Sequence, residues 1–167
     1  MMRAKLEETM SQVTIDTLEK LAFMFAFPDE SEEGRPGDSM VTGSISFTGP
    51  FSGTLLVTMS IEVLQELAGN MLGLDDVEET TQDHRADALR ETMNVICGNL
   101  LPVIAGDEVV FDIGVPKVLP ADQEMKKGAG IPDELAPSAK VNLDLDEGQC
   151  VLFLFLDGEI PKDAILP

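Results

Sequence analysis

The sequence predicts an α+β fold in a single domain over residues 1–167. Two observations lead there. Strand-like runs come in pairs closed by short turns, residues 41–47 with 54–59 and residues 140–146 with 149–156. Helical periodicity fills the stretches that precede each pair, so helices stand beside antiparallel hairpins and do not alternate with parallel strands. The hairpins also resemble each other: Gly53-Thr54-Leu55-Leu56-Val57-Thr58-Met59 returns in one and Gly148-Gln149-Cys150-Val151-Leu152-Phe153-Leu154 in the other. The second half carries an extra strand and loop. The layout is that of a weak internal duplication.

In chain order, residues 4–27 read as a first helix, with Met10, Val13, Ile15, Leu18, Leu21, Ala22 and Phe25 at helical spacing. Residues 28–39 are a loop by their glycine, proline and charge content. The first hairpin follows, turning through Gly49-Pro50-Phe51-Ser52-Gly53. Ser60 caps a short helix to Leu72 that Gly69 weakens and Gly73 ends, and residues 74–79 link it to the next helix. Residues 108–118 read as a strand in which Pro116 marks an edge or a bulge. Residues 120–138 form a long segment rich in Pro, Gly, Ala and Lys, a mobile or functional loop by its length. In residues 140–146, Val141, Leu143 and Leu145 point inward and Asn142, Asp144 and Asp146 outward. Residues 160–166 are a short tail, one helical turn at most.

The central helix starts near Thr80, where Thr80 and Asp83 have capping-box spacing. At 100° per residue, Ala86, Leu89, Met93, Ile96, Leu100 and Ile104 share an arc of roughly 80°, a stripe that packs on a core. Asp87, Glu91, Asn94 and Gly98 fall on the opposite side. Val95 is an apolar residue left on that exposed side, and Pro102 is expected to kink or end the helix. Glu91 and Asn94, three apart, are surface neighbours. A carboxylate there can pair with a cation, and an amide can donate to and accept from one water. On spacing alone the pair is an ordinary solvated surface, since any polar helix face offers such pairs.

Composition excludes several classes. A formal charge of −20 repels nucleic acid and anionic lipid surfaces, and with no Trp or Tyr any base stacking falls to eight Phe. The N-terminal residues lack a signal peptide's apolar run, and no stretch is long enough to span a bilayer, so a cytoplasmic protein is expected. Cys97 and Cys150 form no CxxC and read as reduced core residues. His84, the one histidine, excludes His-rich zinc sites and reads as a surface helix residue. Asn142-x-Asp144-x-Asp146-Glu147-Gly148 has its glycine one position late for a calcium loop, and the alternating leucines favour a strand. No metal site of its own is expected.

The order Asp87-xxx-Glu91-xx-Asn94-xxx-Gly98-Asn99, followed by a strand-like segment and Pro116, resembles the signature helix of the CheC/CheX/FliY chemotaxis phosphatases, CheX most of all. The resemblance extends to the pseudo-duplicated helix-plus-hairpin layout of nearly the whole chain. Where a duplicated site would lie, Asp16-Thr17-Leu18-Glu19 has Glu19 in place of the asparagine, so one site is expected. The resemblance implies a phosphatase acting on a CheY-like, aspartyl-phosphorylated receiver domain in two-component or chemotaxis signalling. It implies that the receiver supplies the phosphoaspartate, a bound Mg²⁺ and a lysine, and that this chain has no cofactor of its own. Glu91 would pair with that lysine and Asn94 would position the attacking water, with Asp87, Val95 and Gly98 as partner contacts. A non-catalytic interaction module uses the same face. A homodimer is a further implication, with residues 151–156 either an edge that pairs across it or the central strand of the sheet.

Overall fold

A computed structural model describes residues 2–29, 39–74, 80–120 and 124–157. The elements are α1 (Met2–Ala22), β1 (Phe27–Pro28), β2 (Met40–Thr48), β3 (Ser52–Ser60), α2 (Ile61–Leu72), α3 (Gln82–Ala105), β4 (Asp112–Ile113), β5 (Lys117–Val118), α4 (Met125–Gly128), β6 (Ala139–Leu145) and β7 (Gly148–Asp157). All strand pairings are antiparallel, in the order β1-β6-β7-β3-β2-β4, with β5 also on β2. The α+β expectation holds, and so do both hairpins. The tail at 160–166, the residues 75–79 of the expected linker and the residues 30–38 of the expected loop lie outside the described residues.

Strand alternation divides the sheet into two faces. Ile45, Phe47, Leu55, Val57, Met59, Leu143, Leu145, Cys150, Leu152 and Leu154 are buried in one cluster with Met10, Leu18, Leu64, Leu67, Leu89, Met93, Ile96 and Leu100 of the three long helices. The helices therefore cover one face. On the opposite face a second, smaller cluster joins Leu56 and Phe155 to Ile131, with Ala129, Leu135 and Phe153 against it. Ile131 belongs to the long segment read as a loop. The described part of that segment, residues 124–138, is a cover for the back of the sheet, fastened by Lys126, whose Nζ donates to the carbonyls of Asp133 (2.9 Å) and Leu135 (2.6 Å) and lies 5.6 Å from the Phe155 ring centre.

Several expectations are corrected. The first helix stops at Ala22, five residues short of Phe27, because Phe23 adopts φ 53° and the chain leaves extended. Met24 and Ala26 then turn inward, while Phe23, Phe25 and Phe27 are exposed. A left-handed residue at a helix end is normally glycine, so the run 21–27 carried no visible stop. The expected strand 108–118 is two two-residue pieces, β4 and β5, parted by residues 114–116; Gly114 N–H donates to Ser46 O at 2.7 Å at that break. Ser60 occupies the cap position of α2, but its hydroxyl accepts from Gln149 N–H (3.0 Å) and makes no cap bond. β7 lies between β3 and β6, so residues 151–156 are the interior of the sheet and not a dimer edge.

Candidate functional site

α3 is the longest helix described, with 24 residues, and its start differs from the expectation by one residue. Thr81 is the cap: its Oγ1 accepts from His84 N–H (3.1 Å), and His84 Nδ1 accepts from Thr81 N–H (3.2 Å). The capping box thus closes through a histidine in the role usually given to Glu or Gln. His84 is half-buried and structural. At the other end the helix runs three residues beyond Pro102 to Ala105, and Gly106 N–H caps the Pro102 carbonyl at 2.8 Å. Pro102 neither ends the helix nor lies at its first turn.

The core stripe of α3 is as expected from Leu89 to Ile104, all at most 1% exposed across Leu89, Met93, Ile96, Leu100 and Ile104, with Ala86 half-buried at its margin. α3 packs on α1, α2 and β2. Its approach to the sheet is close because of Gly43: a Cβ there would lie 2.5 Å from Met93 Cε and 3.2 Å from Leu89 Cδ2. Glycine in a strand is a sequence sign of such contact. Cys97 on the helix and Cys150 on β7 are both buried free thiols, and burial pushes each up to about 12. They are unreactive core groups at neutral pH.

The opposite face presents Asp87, Glu91, Asn94, Gly98 and Asn99, all exposed, with Val95 half-buried beside them. Glu91 and Asn94 have no side-chain hydrogen bond or ion pair among the described residues. Along the axis they are about 4.5 Å apart, and Gly98 lies about 6 Å beyond Asn94, at 1.5 Å per residue. At Gly98 an added Cβ would meet nothing within 4 Å. Asp87 does have a partner: Arg90 Nη1 is 2.9 Å from its Oδ1. Arg90 is a cation adjacent to this row, and the sequence reading passed over it although Asp-xx-Arg at i, i+3 is a known pairing distance.

The other candidates resolve differently. Asp16 Oδ1 accepts from Gln12 Nε2 (2.9 Å) and Glu19 is exposed, so α1 carries no amide at the matching position. Asn142 and Asp144 are half-buried on strand β6, as the alternation predicts. Among the described residues no three His, Cys, Asp or Glu side chains come together as a metal-binding group, and no helix is long and apolar enough to cross a membrane.

Comparison with known proteins places this geometry. The sequence profile of chemotaxis phosphatase CheX matches residues 41–130, more than half of the chain and including all of α3. Among solved structures, the chemotaxis protein CheX of Vibrio vulnificus is 19% identical, with a TM-score of 0.69 over 93% of this chain and 98% of that one. The CheX–CheY–BeF₃–Mg²⁺ complex of Borrelia burgdorferi contains a chain 18% identical, with a TM-score of 0.63 over 90% and 97%. FliY of Thermotoga maritima is 15% identical, with a TM-score of 0.62 over 95% and 90%. At these identities the structural likeness is one of fold. No curated protein matches the chain by sequence. The matched profile and the shared architecture together show that the chain belongs to the CheX family, within the CheC/CheX/FliY group of chemotaxis phosphatases.

Proposed function

We propose that this chain is a phosphatase of aspartyl-phosphorylated, CheY-like receiver domains and that the exposed face of α3 is its working surface. The observation that carries the reading is a carboxylate and an amide, Glu91 and Asn94, held side by side on a packed helix and left without partners of their own among the described residues. Families with this fold include a CheX crystallised with CheY, BeF₃ and Mg²⁺, which supports a receiver as the partner.

In this mechanism Glu91 pairs with a lysine of the receiver and fixes the register of α3 against it. Asn94 then enters the receiver's site, where its amide accepts from and donates to one water and aims it at phosphorus. Water attacks in line, the bond between phosphorus and the aspartate oxygen breaks, and the aspartate leaves as a carboxylate beside inorganic phosphate. Catalysis is positioning, with no covalent intermediate on this chain and no cofactor of its own; the receiver's Mg²⁺ neutralises the phosphoryl oxygens. Asp87, Val95 and Gly98 are contact positions.

The docking half of the proposal has its own test. Glu91→Lys places a cation opposite the receiver's lysine and should lower affinity for the phosphorylated receiver by about 2–5 kcal/mol in titration calorimetry. Because Glu91 is exposed and unpaired among the described residues, thermal stability should be unchanged. Unchanged affinity would remove α3 from the interface. Binding by the wild-type chain without faster phosphate release would make the protein an interaction module of the same surface.

A further inference from the structure

On the face of the sheet away from the helices, a cavity of about 380 Å³ opens between β2, residues 114–117 and residues 127–130. Its floor is Ser44 and Ser46, and among the described residues its charged lining residues are Lys117 and Lys127. In a chain with 31 acidic and 11 basic residues, a pocket whose charges are both positive stands apart from the surface around it. Neither lysine side chain has an ion pair or hydrogen bond to another described residue. With carboxylates so abundant, two lysines that face one concavity without a partner among the described residues are cations suited to a ligand.

Ser44 supplies the independent observation. It is 6% exposed, and its hydroxyl makes no side-chain hydrogen bond among the described residues, in contrast to Ser46, whose Oγ is 3.1 Å from Thr54 Oγ1. The register pairs Ser44 directly with Lys117. Opposite residues of an antiparallel pair share a face with Cβ atoms roughly 4.5–5.5 Å apart, so both side chains line the same side of the sheet, within a lysine's reach of one another. From the other wall Lys127 closes the pocket, carried by α4 and the left-handed turn at Gly130 (φ 73°).

We infer that this pocket binds a small phosphate monoester through Lys117, Lys127 and the Ser44 hydroxyl. Two ammonium groups and a hydroxyl match the charge and acceptor oxygens of a phosphate dianion, whereas a monocarboxylate neutralises the charge of one lysine only. The volume exceeds that of the phosphate group and lies in the range of small-ligand sites, which leaves room for a compact organic body against Val115 and Ala129. The pocket opens on the opposite side of the sheet from α3, so the inference does not depend on the α3 mechanism.

The test is a ¹H–¹⁵N titration of the full chain with inorganic phosphate, O-phosphoserine and serine at constant ionic strength. Saturable shifts should appear at the amides of Ser44, Gly114, Lys117 and 128–130, O-phosphoserine should bind more tightly than phosphate, and serine should leave these amides unmoved. Lys117→Gln with Lys127→Gln should weaken binding at least roughly tenfold, with an unchanged melting temperature because both lysines are exposed. Ser44→Ala should weaken it severalfold. Linear shifts spread over the surface, or a double lysine variant that titrates like the wild type, would overturn the assignment. Phosphate release from a receiver should be unaffected in the lysine variant.

Discussion

An alanine at position 98 would touch no atom within 4 Å and would sit in ordinary helical geometry, so this chain's own packing gives no reason for the glycine. Glycine inside a helix costs about 0.5–1 kcal/mol relative to alanine. Gly98→Ala should therefore raise the unfolding free energy by about that amount in denaturant titration. Under the proposed function it should also weaken receiver docking, because the missing Cβ lies where the partner's backbone approaches. A variant that gains stability and keeps full affinity would leave the glycine without that role. Glu91, Asn94 and Gly98 were legible as an exposed row from angle alone, since 3.6-residue periodicity fixes which side chains oppose a core stripe. Their chemical role was not legible from angle and rests on the order of residues. Phe23 shows the reverse: its left-handed φ follows from tertiary packing of Met24 and Ala26, and nothing local in an apolar run announces it.

Among the elements, those with strong local codes were read with small errors. The two hairpins have alternation and glycine-bearing turns, and their observed bounds differ from the reading by one or two residues at each end. The start of α3 moved by one residue because a threonine stands at both 80 and 81, and it is Thr81 that accepts from the N–H three residues on. The strand expected at 108–118 failed where Gly114 and Pro116 interrupt the pairing with β2. The cover at 124–138 was invisible for another reason. It has no periodicity, and its one deep insertion, Ile131, matters only because the sheet leaves Leu56 and Phe155 bare beneath it. Ile131→Ala should destabilise the fold by about 2–3 kcal/mol in urea denaturation. A loss below about 0.5 kcal/mol would mean that the segment does not pack there.

For the whole molecule, 31 acidic residues against 11 basic ones give a charge of −20. Glu66 on α2 is raised above the usual carboxylate range, first by burial and then by Glu147 and Asp146 across the β6–β7 turn. A carboxyl whose folded pKa exceeds its unfolded value is ionised at a cost: the penalty is absent below the unfolded value of 4.5 and complete above the folded one. Stability thus falls as pH rises through that window. Glu66→Gln should raise the melting temperature at pH 7, and the gain should vanish below about pH 4, where both states carry the proton. A gain that persists at low pH would point to packing and not to charge.

The proposed activity likewise belongs to the assembled molecule, since α3 is useful only as a rigid edge presented by the sheet and its neighbouring helices. The most direct measurement is the rate of phosphate release from a Mg²⁺-loaded, phosphorylated receiver, with the wild-type chain and with Asn94→Ala. Wild-type protein should accelerate release, and Asn94→Ala should lose at least about 100-fold of that acceleration while its melting temperature and receiver affinity stay near wild type. An Asn94→Ala protein that turns over its receiver at the wild-type rate would contradict the assignment of Asn94 as the group that positions the water.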